Sequence, residues 1–217
     1  MPETFLFVDK PIGISSHRVV QEIRRATGVQ RVGHAGTLDP FASGLLVIGV
    51  GRESTKHLNR FLKQDKTYTG TIRLGGFSST DDKEGQITEQ QCVAPSEKVV
   101  TEIINSFIGE QQQLPPKYSA IKIKGKKAYE LARQGKEPDL KPRTVTVYSF
   151  KVLSYKFPLI EFEVRVSSGA YIRALARDIG KKLGCGGYLE KLRRTTIGDI
   201  SISQAQALSD ILKAYGK

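Results

Sequence analysis

GHAGTLDPFASG, residues 33–44, runs directly into LLVIGV, residues 45–50. The first stretch holds a single carboxylate, Asp39, between a glycine-bracketed histidine and a proline. The second reads as a buried strand. Glycines let a backbone turn sharply and approach a ligand closely, and a strand gives such a turn a rigid base. Taken alone, Asp39–Pro40 reads as an ordinary turn or helix-start pair, its carboxylate capping orphan amides. The rest of the chain decides whether it does more.

Outward from this stretch, strands and helices mix without strict alternation. TFLFV (4–8) reads as an opening strand and DKPIGISS (9–16) as a turn, with Ser15 or Ser16 as the N-cap of a short helix. That helix carries Val19, Val20, Ile23 and Ala26 on one face and closes at Gly28. A helix is expected from Ser54 to Leu62, a strand from Lys66 to Leu74, and a polar loop over GGFSSTDDKEGQ (75–86). Helical spacing of Val99, Val100, Ile103, Ile104 and Phe107 predicts a helix over 96–108. Strands follow around 144–154 and 159–166. A helix over 169–184 buries Ile172, Leu175, Ala176, Ile179 and Leu183. A strand pair near 189–194 and 199–202 and a helix over 204–212 complete the chain. Several strands are joined by hairpin-length turns, which predicts an α+β fold on a mixed, mainly antiparallel sheet flanked by helices. No linker, repeat or low-complexity segment divides residues 1–217, so a single domain is expected.

Composition narrows the function. A chain of 217 residues, 39% hydrophobic and 26% charged, can bury a real core as a globular protein. No apolar run approaches a membrane span, and the N-terminus has no secretory pattern, so a cytoplasmic protein without a membrane partner is expected. Cys92 and Cys185 stand far apart with no CxxC and read as free cytosolic thiols. The net charge of +12 attracts polyanions. Half of that excess lies between Lys117 and Arg143, where nine basic residues face three acidic ones and Tyr118 and Tyr129 are interleaved. Charge for phosphate and rings for bases suit a nucleic-acid contact; a solvated face that keeps the chain soluble is the alternative.

Nucleotide-triphosphate loops, dinucleotide fingerprints, HExxH and zinc-finger spacings are all missing, and His17, His34 and His57 are too scattered to suggest a metal site. Neither cofactor nor metal is expected. Six blocks then occur in order: DKPIGISS (9–16), RVGHAGTLDPFASGLL (31–46), KTY (66–68), LPPKYSAIKIKGKKAYELARQG (114–135), SSGAYIRALARDIG (167–180) and LRRTTIG (192–198). Together they resemble the TruB family of tRNA pseudouridine-55 synthases over nearly the whole chain.

The resemblance implies a pseudouridine synthase-type fold with a basic thumb-like insertion at about residues 111–143. It implies isomerisation of uridine to pseudouridine in the T stem-loop of tRNA, by a monomer. Asp39 matches the catalytic aspartate, Tyr68 the tyrosine that stacks on the flipped base, and Arg173 the arginine that pairs with the aspartate. Tyr171 and Leu192 match residues lining the uracil pocket, and His34 the histidine that enters the RNA loop. Lys122, Lys124, Lys126, Lys127 and Arg133 fall in the RNA-gripping insertion. Where the family commonly reads CSxGTYIR, this chain has Val166 and Ala170 for the Cys and Thr, and Tyr188 stands where relatives often carry His. Against the family pattern, the chain is expected to be a short form that lacks the C-terminal PUA-like RNA-binding domain of many relatives.

The chemistry is consistent with these roles. Isomerisation trades an N-glycosidic bond for a C–C bond without water or cofactor, and one carboxylate suffices as nucleophile or as stabiliser of an oxocarbenium-like sugar. A target in a folded loop has to be flipped out, and an aromatic platform offsets the lost stacking. Two other readings compete. One is an RNA-binding or RNA-folding protein for which modification is secondary. The other is a nucleoside glycosidase, which lacks its second carboxylate here.

Overall fold

Two neighbouring serines settle where the first helix begins. In the structure, a computed structural model that describes residues 4–123 and 125–216, strand β1 (Thr4–Lys10) leads into α1 (Ser16–Thr27). Ser15 is the N-cap, its hydroxyl accepting from the Arg18 N–H at 3.1 Å, and Gly28 ends the helix. The chain continues through β2 (Val32–Ala35), β3 (Ser43–Val50), α2 (Arg52–Lys56), α3 (Asn59–Leu62) and β4 (Lys66–Leu74). Next come β5 (Gly76–Ser78), β6 (Ile87–Glu89), α4 (Glu97–Asn105), β7 (Gly109–Gln113), β8 (Lys122–Ile123), β9 (Lys126–Lys127) and α5 (Ala128–Arg133). The long strands β10 (Arg143–Lys156) and β11 (Leu159–Val166) precede α6 (Ile172–Lys182). The last elements are β12 (Gly187–Ile197), β13 (Ile200–Ser201), a 3₁₀ turn, β14 (Gln206–Ala207) and α7 (Leu208–Ala214).

The chain forms two compact units, Met1–Thr69 with Lys191–Lys217, and Gly70–Glu190. Strands β4 and β12 contribute residues to both. In the first unit β3 is the central strand. It pairs antiparallel with β1 from Thr4↔Val50 to Lys10↔Gly44 and antiparallel with β2 from Val32↔Val50 to Ala35↔Val47. It also runs parallel to β12 at Arg193↔Ser43 and Arg194↔Gly44. Its SGLLVIGV sequence is apolar because it is covered on both faces, with Leu45, Leu46, Val47 and Ile48 all fully buried. Ala35, Leu45, Val47, Leu58, Phe61 and Ile197 form a core on which Phe5 and Phe7 pack. Phe5 and Phe61 meet edge to face at 5.0 Å.

In the second unit β10 is central, antiparallel to β11 on one side and to β7 on the other. Val147, Phe150, Ile160, Phe162 and Val164 are buried, with Phe150 and Phe162 ring centroids 5.4 Å apart. α6 buries Ile172, Leu175, Ala176 and Ile179, as their spacing predicts, and Ala174 besides; Leu183, expected on the same face, is the half-buried C-cap. Two small hairpins, β5–β6 and β8–β9, complete this unit. Both units bear out the mixed, mainly antiparallel α+β expectation.

Three expectations need correction. The helix expected over 54–62 is split in two at His57–Leu58, where the backbone bonds tighten to three-residue spacing: the His57 N–H donates to Ser54 O at 3.1 Å and the Arg60 N–H to His57 O at 3.2 Å. Such 3₁₀-type bonds close one short helix and open the next. The final helix starts only at Leu208, after the 3₁₀ turn Ile202–Gln204. The cysteines are not free thiols: Cys92 and Cys185 form a disulfide, with Cα atoms 5.1 Å apart. The chain after β6 runs beside the turn after α6, where Gln90 Nε2 donates to Gly184 O at 2.8 Å and Gly75 N to Cys185 O at 3.2 Å. A separation of 93 residues gives no hint of that pairing.

Candidate active site

Residues 36–42 connect β2 to β3, and three clamps hold them. Arg194, 1% exposed, donates from Nη2 to Gly36 O at 3.0 Å and from Nε to Leu45 O at 2.8 Å. The buried Ser16 hydroxyl accepts the Leu38 N–H at 2.8 Å and donates to Leu38 O at 3.0 Å. The Gly13 N–H donates to Pro40 O at 2.8 Å, and Asp39 O accepts from Ala42 N at 3.1 Å to close the turn. Leu38, Phe41 and Ala42 are buried anchors, and Asp39 sits among them half-buried. The loop thus places its carboxylate at the rim of the core with its backbone fixed on both sides, the rigidity a reacting group needs.

The turn that supplies Gly13 and Ser16 is itself organised by Lys10. This lysine is fully buried, and its Nζ donates to Pro11 O and Ile14 O, each at 2.8 Å. Asp9 takes a two-point ion pair from Arg193, at 2.7 and 3.0 Å. Gly44 is required for close approach: it has φ 105°, and a Cβ there would lie 2.3 Å from the backbone oxygen of Arg194. DKPIGISS, GHAGTLDPFASG and LRRTTIG therefore form one scaffold around Asp39.

His34 lies on β2, and its Nδ1 is buried without a hydrogen-bond partner among the described residues. Burial, then the charge of Arg194, lowers its pKa below the ordinary histidine value, so the ring is neutral near pH 7. Tyr68 on β4 and Leu192 on β12 are both buried. Two residues before Tyr68, Lys66 caps the end of α3, donating from Nζ to Leu62 O at 3.0 Å and to Gln64 O. Burial, then Arg194, pushes Lys66 down to about 8. His34, Asp39, Tyr68 and Leu192 all belong to the first unit.

Tyr171 and Arg173 belong to the second. Tyr171 is the N-cap of α6, and the Gln113 side chain bonds both its N–H, at 2.8 Å, and its C=O, at 3.1 Å. Arg173 is 5% exposed and donates to Thr80 O at 3.1 Å and Tyr118 O at 3.0 Å. It also forms an ion pair with the buried Asp82 at 3.4 Å. Asp82 in turn accepts from Thr80 Oγ1 at 2.6 Å and Glu84 N at 3.0 Å. The segment expected to be a polar loop is thus a structured turn that holds the Arg173 guanidinium. Its doubled aspartate facing two arginines at helical spacing, Arg173 and Arg177, is the signal the sequence reading missed.

The insertion is only partly a free basic surface. Lys122 and Lys126 are exposed on the β8–β9 hairpin. Lys127 and Arg133 instead lie over the Tyr129 ring, at 5.4 and 5.5 Å. Tyr129 therefore already carries two cations rather than presenting a bare face to a base. Lys124 lies outside the described residues. Among the described residues no cluster of acidic, histidine or cysteine side chains could hold a metal ion, and no helix is long and apolar enough to cross a membrane.

Comparison with known proteins gives the same direction. The model of the TruB family pseudouridylate synthase N-terminal domain matches residues 24–172, and that of the tRNA pseudouridylate synthase B C-terminal domain matches residues 173–217. The chain is 45% identical to tRNA pseudouridine synthase B of Chloroherpeton thalassium, over 98% of this chain and 90% of that protein. It is 43% identical to that of Aquifex aeolicus, over 96% of this chain and 73% of that one. Among solved structures it resembles a chain of a Cbf5–Nop10–Gar1 complex, with TM-score 0.75 and 28% identity over 97% of this chain. It also resembles a chain of an H/ACA RNP bound to a substrate RNA containing 2′-deoxyuridine, with TM-score 0.73 and 27% identity. The chain spans about half the length of those two solved chains, 54% and 53%. With every residue from Arg24 onward inside a matching model, and the clamped Asp39 loop among them, the chain belongs to the TruB family of pseudouridylate synthases.

Proposed function

We propose that this chain converts uridine to pseudouridine at position 55 in the T stem-loop of tRNA, as a cytoplasmic monomer with no cofactor. The observation that carries this reading is the Asp39 loop, a lone carboxylate whose backbone neighbours are fixed by Arg194, Ser16 and Gly13. The reaction is an isomerisation: the N1–C1′ bond breaks and a C5–C1′ bond forms, with no net oxidation and no group lost. Asp39 is the group that acts on the nucleoside, by attack at ribose C1′, by attack at base C6 or by the glycal route. Tyr68 is the platform for the flipped base, Leu192 and Tyr171 line the uracil site, and His34 faces the RNA loop. Arg173 is the catalytic arginine, with Asp82 its positioning partner.

Lys122, Lys126 and the insertion around them bind phosphates, together with Lys124, Lys127 and Arg133. The test is incubation with an unmodified tRNA transcript, without added metal, followed by carbodiimide mapping. Pseudouridine at position 55 is the expected result. Tight tRNA binding without modification would favour the RNA-folding reading instead.

A further inference from the structure

Two arginines one turn apart on α6 grip the same two segments. Arg173 reaches Thr80 O and Asp82 in the 78–82 turn, and Tyr118 O ahead of the β8–β9 hairpin. Arg177 repeats the pattern: Nη1 meets Asp81 Oδ2 at 2.9 Å, and Nη2 donates to Leu114 O at 2.9 Å. Its Nε is held by Asp178 Oδ1 at 2.9 Å. Asp81 adopts a left-handed backbone, φ 62°, which an L-residue takes only when its surroundings hold it there. Its N–H donates to Ser78 O, and its C=O accepts the Leu189 N–H at 3.0 Å. The segment entering the insertion is thus tied to α6 at Gln113 through Tyr171, at Leu114 through Arg177, and at Tyr118 through Arg173.

We infer that Arg177 is a positioning residue for RNA binding: it fixes where the basic insertion leaves the body of its unit, and so where Lys122 and Lys126 present their charges. This rests on the reading that the insertion contacts RNA. The planar guanidinium suits the task because it forks, satisfying a carboxylate and a backbone carbonyl in different directions. A lysine at this position keeps a cation beside Asp81 and lacks the fixed fork that meets Asp81 from Nη1 and Leu114 O from Nη2.

The test is Arg177→Lys, compared with the parent, with Asp81→Asn and with Lys122→Glu/Lys126→Glu. All are checked for a cooperative melt and measured for tRNA affinity, single-turnover rate at saturating tRNA and amide exchange over residues 114–143. Arg177→Lys is expected to weaken tRNA binding about tenfold, the loss that goes with one charge-assisted hydrogen bond. Its rate at saturation should stay within about twofold of the parent, while exchange quickens in the insertion. Asp81→Asn, which leaves the Leu114 contact in place, should bind tRNA like the parent. Arg177→Lys binding tRNA as the parent does, while the double glutamate variant binds weakly, would overturn the inference and leave the insertion reading standing. A double glutamate variant that binds like the parent would remove the insertion reading and the inference with it. Equal weakening in Asp81→Asn and Arg177→Lys would assign the effect to the turn and overturn the role given to Leu114.

Discussion

Ser15 and Ser16 are adjacent, alike in chemistry and different in task, and replacing each by alanine separates helix capping from loop positioning. Ser15 is exposed and makes one capping bond to Arg18 N at 3.1 Å. Losing it costs about 1 kcal/mol of helix stability. Ser16 is 1% exposed and makes two bonds to Leu38, at 2.8 and 3.0 Å. Its removal forfeits both, each worth about 1 kcal/mol net, and strands a buried Leu38 N–H at a further cost of about 1–2 kcal/mol. The total is about 3 kcal/mol, a drop in Tm of about 6–12 °C for a chain of this size. Leu38 immediately precedes Asp39, so the loosened loop should also lower the single-turnover rate about ten- to a hundredfold, as a displacement of about 1 Å at a reacting group does. tRNA affinity should stay within about threefold, because neither serine lies in the basic insertion. The assays are a thermal melt, tRNA filter binding and pseudouridine formation at saturating enzyme. Ser16→Ala retaining the parent's rate and stability, or Ser15→Ala losing the more activity of the two, would refute the clamp.

Gly44→Ala should cost about 3 kcal/mol or more, because a Cβ 2.3 Å from Arg194 O forces β3 and β12 apart while φ 105° adds its own strain; a folded variant with the parent's Tm would contradict this. Lys66 has a folded-state pKa of about 8 against the ordinary 10.5, so the unfolded chain holds its proton more tightly. Its contribution to stability is fully present above about 10.5 and is lost as the pH falls through about 8. The Tm of the parent minus that of Lys66→Met should therefore rise between pH 8 and 10, and a flat or falling difference would be the contrary result. The Cys92–Cys185 disulfide closes a span of 93 residues, worth about 4–5 kcal/mol on a chain-entropy account. Dithiothreitol and Cys92→Ser should lower the Tm equally; a parent insensitive to reductant would contradict this.

Much of the fold was written locally. Alternation in β4 and β10, helical spacing in α4 and α6, and the Ser15 and Gly28 signals of α1 each depend on a few neighbouring residues. The ends of α2, α3 and α7 were not, because the three-residue backbone turns at His57 and over Ile202–Gln204 fall at positions that propensity does not mark. At the site, Asp39 stands out as a lone carboxylate in a glycine-rich turn. Its supports do not: Ser16 reads as a capping residue and no local pattern marks Lys10 or Arg194, yet all three are buried with bonds to backbone carbonyls. A buried cation is legible only once the carbonyls that satisfy it are known, and for Arg194 these lie 149 and 158 positions away, at Leu45 and Gly36. The same holds for Asp82, whose partner Arg173 lies 91 positions further along the chain.

Asp39 is the deciding position. Asp39→Asn keeps the size of the side chain and removes the charge, so the clamped loop and the basic insertion should persist. Pseudouridine formation on an unmodified tRNA transcript, measured in single turnover beside tRNA affinity, is the deciding measurement. Parent-like binding with no pseudouridine at position 55 is the expected result. Turnover that survives in purified Asp39→Asn would contradict it.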